Sequence, residues 1–455
     1  AWLSSRSEGR RVRTVILGAG GRDFHNFNTV YRDDPATEVL AFTAAQIPGI
    51  AGRKYPPSLA GPLYPDGIPI VDEASLDDFC REQRVERIVF AYSDVTHDRV
   101  MHLASRSLAA GSDFVLLGPE RTWLEARVPV IAICATRTGC GKSQVARYLA
   151  TRLRAQGHAV AVVRHPMPYG DLARQRVQRF ASSADLRAAD CSVEEREEYE
   201  PHIAAGASVF AGVDYADVLR MAEADADVIV WDGGNNDFPF FRPHLLVVVA
   251  DALRPGQAAA YHPGETCLRM ADIIVVNKVD AAPPEQVAAV EAEVRSLNPR
   301  AAVVRAASPV HLDNVSAIRG RRVLVIEDGP TITHGGMPFG AGYTAAIAAG
   351  AGDIVDPRES AVGSLRHVYA QYPHIGRVLP AVGYSAAQVA DVAETVNRSS
   401  AEVVVSATTA NLVAIARFEK PVVRARYAYA DADEPRLSAL IDNFLAGTGL
   451  LTATE

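Results

Sequence analysis

Cysteine is sparse in this chain of 455 residues. The five present, Cys80, Cys134, Cys140, Cys191 and Cys267, are odd in number and form no CxxC pair, which argues against a disulfide framework or a structural zinc site and for a reducing compartment. Long apolar runs are also missing. None reaches the ~18–20 residues of a membrane span, and the first residues lack the apolar core of a signal peptide. Positive charge is not in excess either: the formal net charge is -8. That removes any global attraction to nucleic acid or anionic membrane and leaves local basic clusters, which suit small anionic ligands. The expected location is cytoplasmic, with neither nucleic acid nor membrane as a partner.

What is present is an ordinary globular composition, 48% hydrophobic and 22% charged. The apolar runs alternate with amphipathic stretches in three series. "RRVRTVILGAGG" opens the first, "VPVIAICA" the second and "RRVLVIEDGP" the third. Strand alternating with helix predicts an α/β protein with mostly parallel, doubly wound sheets. The expected units are a Rossmann-like N-terminal domain over 1–127, a central nucleotide-binding domain over 128–320 and a smaller C-terminal α/β domain over 321–455. The charged segment "SVEEREEYEPHIAAG" reads as a solvated helix or lid.

The central series carries the clearest chemistry. "TRTGCGKSQ" follows an apolar strand and opens a helix, so its backbone N–H groups and the helix N-terminus are suited to hold phosphate oxygens. Thr138, Gly139, Cys140, Gly141, Lys142, Ser143 and Gln144 form the expected nucleotide contact. Lys142 would neutralise the β- and γ-phosphates and Ser143 would ligate Mg²⁺. Thr136 replaces the usual first glycine, but Arg137 falls where the KGGxGK[ST] variant of this P-loop NTPase motif carries its signature cation. Such cations often act across a dimer, so a homodimer is one expectation from Arg137 and action within its own chain the other. Asp232, ending the strand of "DVIVWDGGNND", is the expected second Mg²⁺ ligand. "NKVD" supplies Asn277, Lys278 and Asp280 for the base, and Ser308 closes that pocket; ATP and GTP both remain open as the nucleotide. Arg164, at the end of the next strand, is placed to stabilise transferred charge.

The flanking series supply further polar turns. Arg22, Asp23, His25 and Asn28 crowd the first glycine turn, Asp94 follows a strand end, and Thr331, Thr333, His334, Gly335 and Gly336 form a donor-rich turn in the third series. Such strand ends border the ligand crevice of parallel sheets. Arg424 and Arg426 alternate on one strand and face the same way, as a grip on one anion or as an exposed basic strand.

Together "GAGGRDFHNFN", "TRTGCGKSQ", "WDGGNND", "NKVD" and "EDGPTITHGGMPFGAG" resemble the cyclic 2,3-diphosphoglycerate synthetase family over nearly the whole chain. The resemblance implies an ATP-dependent ligase that phosphorylates a phosphorylated acid and closes an intramolecular phosphoanhydride. Lys142, Arg137, Arg164 and Asp232 would then be catalytic, and the two outer turns would bind the anionic acceptor. Two other readings stay open. One is a GTPase of the metal-chaperone or maturation type, which the missing CxxC beside Cys140 disfavours. The other is a non-catalytic nucleotide switch with a protein partner.

Overall fold

The computed structural model describes residues 10–45, 50–165, 170–234, 236–333, 335–381, 386–409 and 412–448. The N-terminal unit is a parallel sheet whose middle strand, Val12–Leu17, lies between Thr37–Ala44 and Arg87–Phe90, as in a Rossmann-like unit. Only the edge strand Lys54–Tyr55 runs antiparallel. Val15, Ile16 and Leu17 are fully buried, because helices cover both faces of the sheet.

The central unit is a nine-stranded sheet. Its strand Val130–Ala135 is flanked by Val228–Gly233 and Leu245–Asp251, all parallel. These strands are continuous apolar runs rather than alternating ones, as expected of strands covered on both sides. Every residue of Val130–Ala135 is buried. The loop that follows is therefore set at the carboxyl edge of a rigid platform. The C-terminal unit is a smaller sheet centred on Arg322–Glu327, with Val403–Ala407 parallel beside it.

Two features depart from the expected domain limits. Ala430–Asp431 pairs antiparallel with Ala302–Ala307, and the helix Leu437–Thr448 buries Leu437, Ile441 and Leu445 against Leu149 and Leu153 of the central unit. Residues 429–448 thus complete the central unit, while Val310–Leu312 already belongs to the C-terminal sheet. Periodicity identifies an amphipathic helix but not which sheet receives it. The charged helix Val193–Ala204 is likewise no solvated lid. Tyr199 and His202 are fully buried, and Glu195 and Glu197 nearly so, because the helix packs between the central and C-terminal units.

The N-terminal unit docks on the central one through a buried seam. Arg22 pairs with Asp237 and donates to Phe238 O at 3.0 Å, and the His25 ring stacks on Phe240 at 4.1 Å. A short ribbon, Val95–Thr96 against Tyr261–His262, ties the same two units. Among the described residues no helix is long and apolar enough to cross a membrane.

Candidate nucleotide and acceptor site

Between the strand Val130–Ala135 and the helix Lys142–Ala155, the chain makes a tight loop with Gly139 at φ +84° and Gly141 at φ +102°. Only glycine takes such angles freely. At Gly141 a Cβ would also collide with Asn277 Nδ2, which donates to Cys140 O at 2.9 Å. Lys278 Nζ donates to Gly139 O at 2.7 Å and to Asp251 at 2.6 Å. The first two residues of the NKxD box therefore brace the loop. Asp280 accepts from Ser308 N at 2.9 Å, and Ser308 Oγ donates to Gln144 at 3.0 Å, which brings these three together beside the loop. Cys140 is buried beneath the loop.

Asp232 is the electrostatic centre. It is fully buried, and it takes Lys142 Nζ at 2.6 Å, Arg164 Nη1 at 2.5 Å and His202 Nε2 at 2.9 Å, with Ser143 Oγ 3.4 Å away. Burial alone would raise its pKa, but Arg164, Lys142 and the His202 bond hold it well below the usual carboxylate range. Burial pushes the Lys142 ammonium down to about 8, with Asp232 pulling the other way and Arg164 adding to the lowering. Bound phosphates would raise it again, so nucleotide binding takes up a proton above pH 8. Affinity for ATP or GTP is expected to be level below pH 8 and to fall above it, by up to about tenfold per pH unit. Fluorescent-nucleotide titrations on either side of that pH check this.

Arg137 is turned into its own chain. Its guanidinium lies 3.8 Å over the Tyr261 ring, and Nη1 donates to Gln257 at 2.9 Å. Asp94 accepts from Thr138 N at 3.4 Å, so it supports the loop rather than an acceptor. Thr138 Oγ1, Arg164 Nε and Arg254 Nη2 are buried donors with no hydrogen-bond partner among the described residues. Such orphaned donors around a loop suit a polyanion. Ser143 Oγ and Asp232 are a hydroxyl and a carboxylate of the kind Mg²⁺ takes beside phosphates, so the residues fit that ion.

A cavity of about 250 Å³ opens over the loop. Its central-unit wall holds Arg137, Lys142, Ser143, Arg164 and Lys278. The cavity also holds residues that sequence reasoning passed over: Arg147 on the helix that opens at the loop, Glu197 and Glu198 on the helix Val193–Ala204, and Glu327 and Tyr427 from the C-terminal unit. Arg164 also pairs with Glu198. Burial pushes the Glu327 carboxyl up to about 7, although it accepts from the N–H groups of Gly340, Gly342 and Tyr343, and burial raises Asp328 as well. A strand-end Glu-Asp pair was the available signal for Glu327. Glu197 and Glu198 were hidden in a run of glutamates.

The outer turns fare differently. Thr331 lines the cavity and donates to Asp328, whereas Thr333 is tied to Gly329 O. Gly335 and Gly336 stand outside the cavity wall, and His334 lies outside the described residues. Arg22, Asp23, His25 and Asn28 do not reach the cavity. Asp23 accepts from Gly20, Gly21 and Phe24 N–H groups, His25 Nε2 donates to Thr122 O at 2.7 Å, and Asn28 Nδ2 donates to Val213 O at 3.2 Å. Burial lowers His25 to about 3, with Arg22 beside it acting in the same direction. Arg22, His25 and Asn28 hold the interdomain seam and Asp23 closes its own turn, so an acceptor role is not carried forward for these four. His165 packs half-buried in the same aromatic cluster.

Residues 227–305 match the family described as CobW/HypB/UreG, nucleotide-binding domain. The chain is 52% identical over 438 residues to "Arginine synthetase ArcE" of Thermococcus kodakarensis, an alignment covering 96% of this chain and 98% of that protein. It is 27% identical to the "Cyclic 2,3-diphosphoglycerate synthetase" of Rubrobacter xylanophilus, over 50% of this chain and 57% of that one. Among solved structures, LpxK from Aquifex aeolicus in complex with ATP aligns at 13% identity and a TM-score of 0.41, over 76% of this chain and 95% of that chain.

Proposed function

This chain belongs to the family of the arginine synthetase ArcE, and on that premise we propose that it is a nucleotide-dependent synthetase converting a ureido amino acid into its guanidino counterpart. The observation that carries the reading is the two-sided cavity. Lys142 and Arg164 line it from the phosphate-loop side, while Glu327 and Asp328 line it from the C-terminal unit. Buried carboxylates suit a guanidinium or ammonium group, and they would repel a polyanionic acceptor such as 2,3-diphosphoglycerate.

A ureido oxygen is a poor leaving group until it is phosphorylated. In the proposed sequence the oxygen attacks the γ-phosphorus and the nucleoside diphosphate leaves. A nitrogen then attacks the activated carbon, the carbon–oxygen bond breaks, and inorganic phosphate carries the oxygen away. Mg²⁺, when bound, would neutralise phosphate charge beside Ser143 and Asp232. Lys142 and Arg164 stabilise the charge in transfer. Glu327, with a pKa near 7, is suited to take the proton released by the attacking nitrogen. The C-terminal unit walls the cavity and so keeps water from the activated intermediate.

The test uses the full chain with Mg²⁺ and ATP or GTP, measuring phosphate release and products by ³¹P NMR and mass spectrometry. L-Citrulline with ammonium is expected to drive turnover and to yield arginine in equal amount to phosphate. A cyclic pyrophosphate formed from 2,3-diphosphoglycerate would establish the phosphoanhydride reaction instead. Turnover indifferent to both acceptors would sink both and leave a GTPase or nucleotide switch. Against a metal-chaperone version of the GTPase stands one observation: among the described residues no group of His, Cys, Asp or Glu is placed to hold a metal.

A further inference from the structure

A second cavity, of about 1020 Å³, opens between the helices Lys142–Ala155 and Val193–Ala204 and the strand Val422–Tyr427. Gln144, Arg147, Thr409 and Tyr427 line both it and the cavity over the phosphate loop, so the two spaces meet across these four residues. Its walls hold six arginines but a single carboxylate, Glu200. Three of the six are answered: Arg152 by Asp442, Arg196 by Glu200 and Arg426 by Asp313. Arg147, Arg187 and Arg424 form no ion pair among the described residues. The one hydrogen bond of the Arg424 side chain is a long one, 3.5 Å to Thr409 O, which places it beside the shared wall.

Guanidinia gathered on a cavity wall with no carboxylate in direct contact repel one another, and an anion between them relieves that cost. Their forked donors match the two oxygens of a carboxylate, as they do those of a phosphate. The nucleotide's own phosphates are already provided for by Lys142 and the loop. An anion here therefore belongs to a molecule that extends away from the transferred phosphate and past Arg147.

We propose that the second cavity is the carboxylate pocket of the amino-acid acceptor, with Arg147 and Arg424 as its ligands. The acceptor's side chain crosses the shared wall and presents its ureido or guanidino end to Glu327 and Asp328. The assignment rests on the amino-acid reading given above, and it explains why six arginines surround a space that holds no phosphate loop.

Calorimetric titration of the full chain with L-arginine and with agmatine, which lacks only the carboxylate, tests it. Arginine is expected to bind at least tenfold more tightly than agmatine. Arg424→Gln should bring that ratio close to one by weakening arginine alone, Arg424→Lys should restore part of it, and affinity for ADP should not change. A melting curve checks that each variant folds, and Arg147→Gln offers the same comparison should Arg424→Gln fail to fold. An unchanged ratio in both glutamine variants overturns the pocket while leaving the amino-acid reading in place. Binding of ADP with no binding of arginine overturns that reading and the pocket with it. Inorganic phosphate binding more tightly than arginine, and lost in Arg424→Gln, would make the cavity an anion effector site and overturn the assignment.

Discussion

Replacing Lys142 with alanine is expected to reduce nucleotide turnover by at least ~10²–10³-fold, the scale seen when a preorganised donor to a developing anion is removed. The ammonium is the one lysine that reaches Asp232, and its helix begins at the phosphate loop, so no neighbouring group replaces it. Stability should hardly change. Asp232 keeps Arg164 and His202 after the substitution, and Lys142 is itself held in its charged form against burial. Steady-state phosphate release and a thermal melt on the same preparation separate the two effects. A large fall in melting temperature would mean that Lys142 is chiefly structural.

Asp232→Ala is expected to remove turnover and also to destabilise the fold, by about 3–5 kcal/mol, because breaking a buried pair leaves the partner charges uncompensated. Here two cations, Lys142 and Arg164, lose the same carboxylate, and the buried His202 Nε2 loses its acceptor. Adding Lys142→Ala to Asp232→Ala should return part of the lost stability, since it removes one of the stranded charges. Chemical denaturation of the two single variants and the double variant measures the coupling. Strict additivity would show that Asp232 and Lys142 do not depend on each other in the folded protein.

The nucleotide half of the site was legible in the sequence because its chemistry is local. A strand, a glycine turn and a helix opening on Lys142 stand together in one stretch, and Asp232, Asn277 and Ser308 each end a strand of one parallel sheet. The acceptor half was not. Glu197 and Glu198 come from a helix that looks solvated by composition, and Glu327 from a strand in another unit; only tertiary packing brings them to one cavity. Arg22, Asp23, His25 and Asn28 misled for a related reason. Polar side chains at a glycine turn look alike whether they face a ligand or a neighbouring domain, and here Asp237 and Phe238 occupy the place of the ligand. Arg137 stands at the position of a signature cation, but its direction depends on Tyr261, more than a hundred residues away.

The pairing of the two chain crossings has a mechanical consequence. The ribbon formed by Ala302–Ala307 with Ala430–Asp431 continues as Val310–Leu312 with Val422–Tyr427, so both connections to the C-terminal sheet run side by side, and Ala428 N donates to Pro309 O at the crossing itself. A body held by two adjacent strands can bend about the ribbon but resists twisting and sliding. Bending about that axis is therefore the one motion that the two crossings leave to the C-terminal unit. Ser308 and Tyr427 sit beside that axis and both line the cavity over the loop, so bending there would alter both of its sides at once.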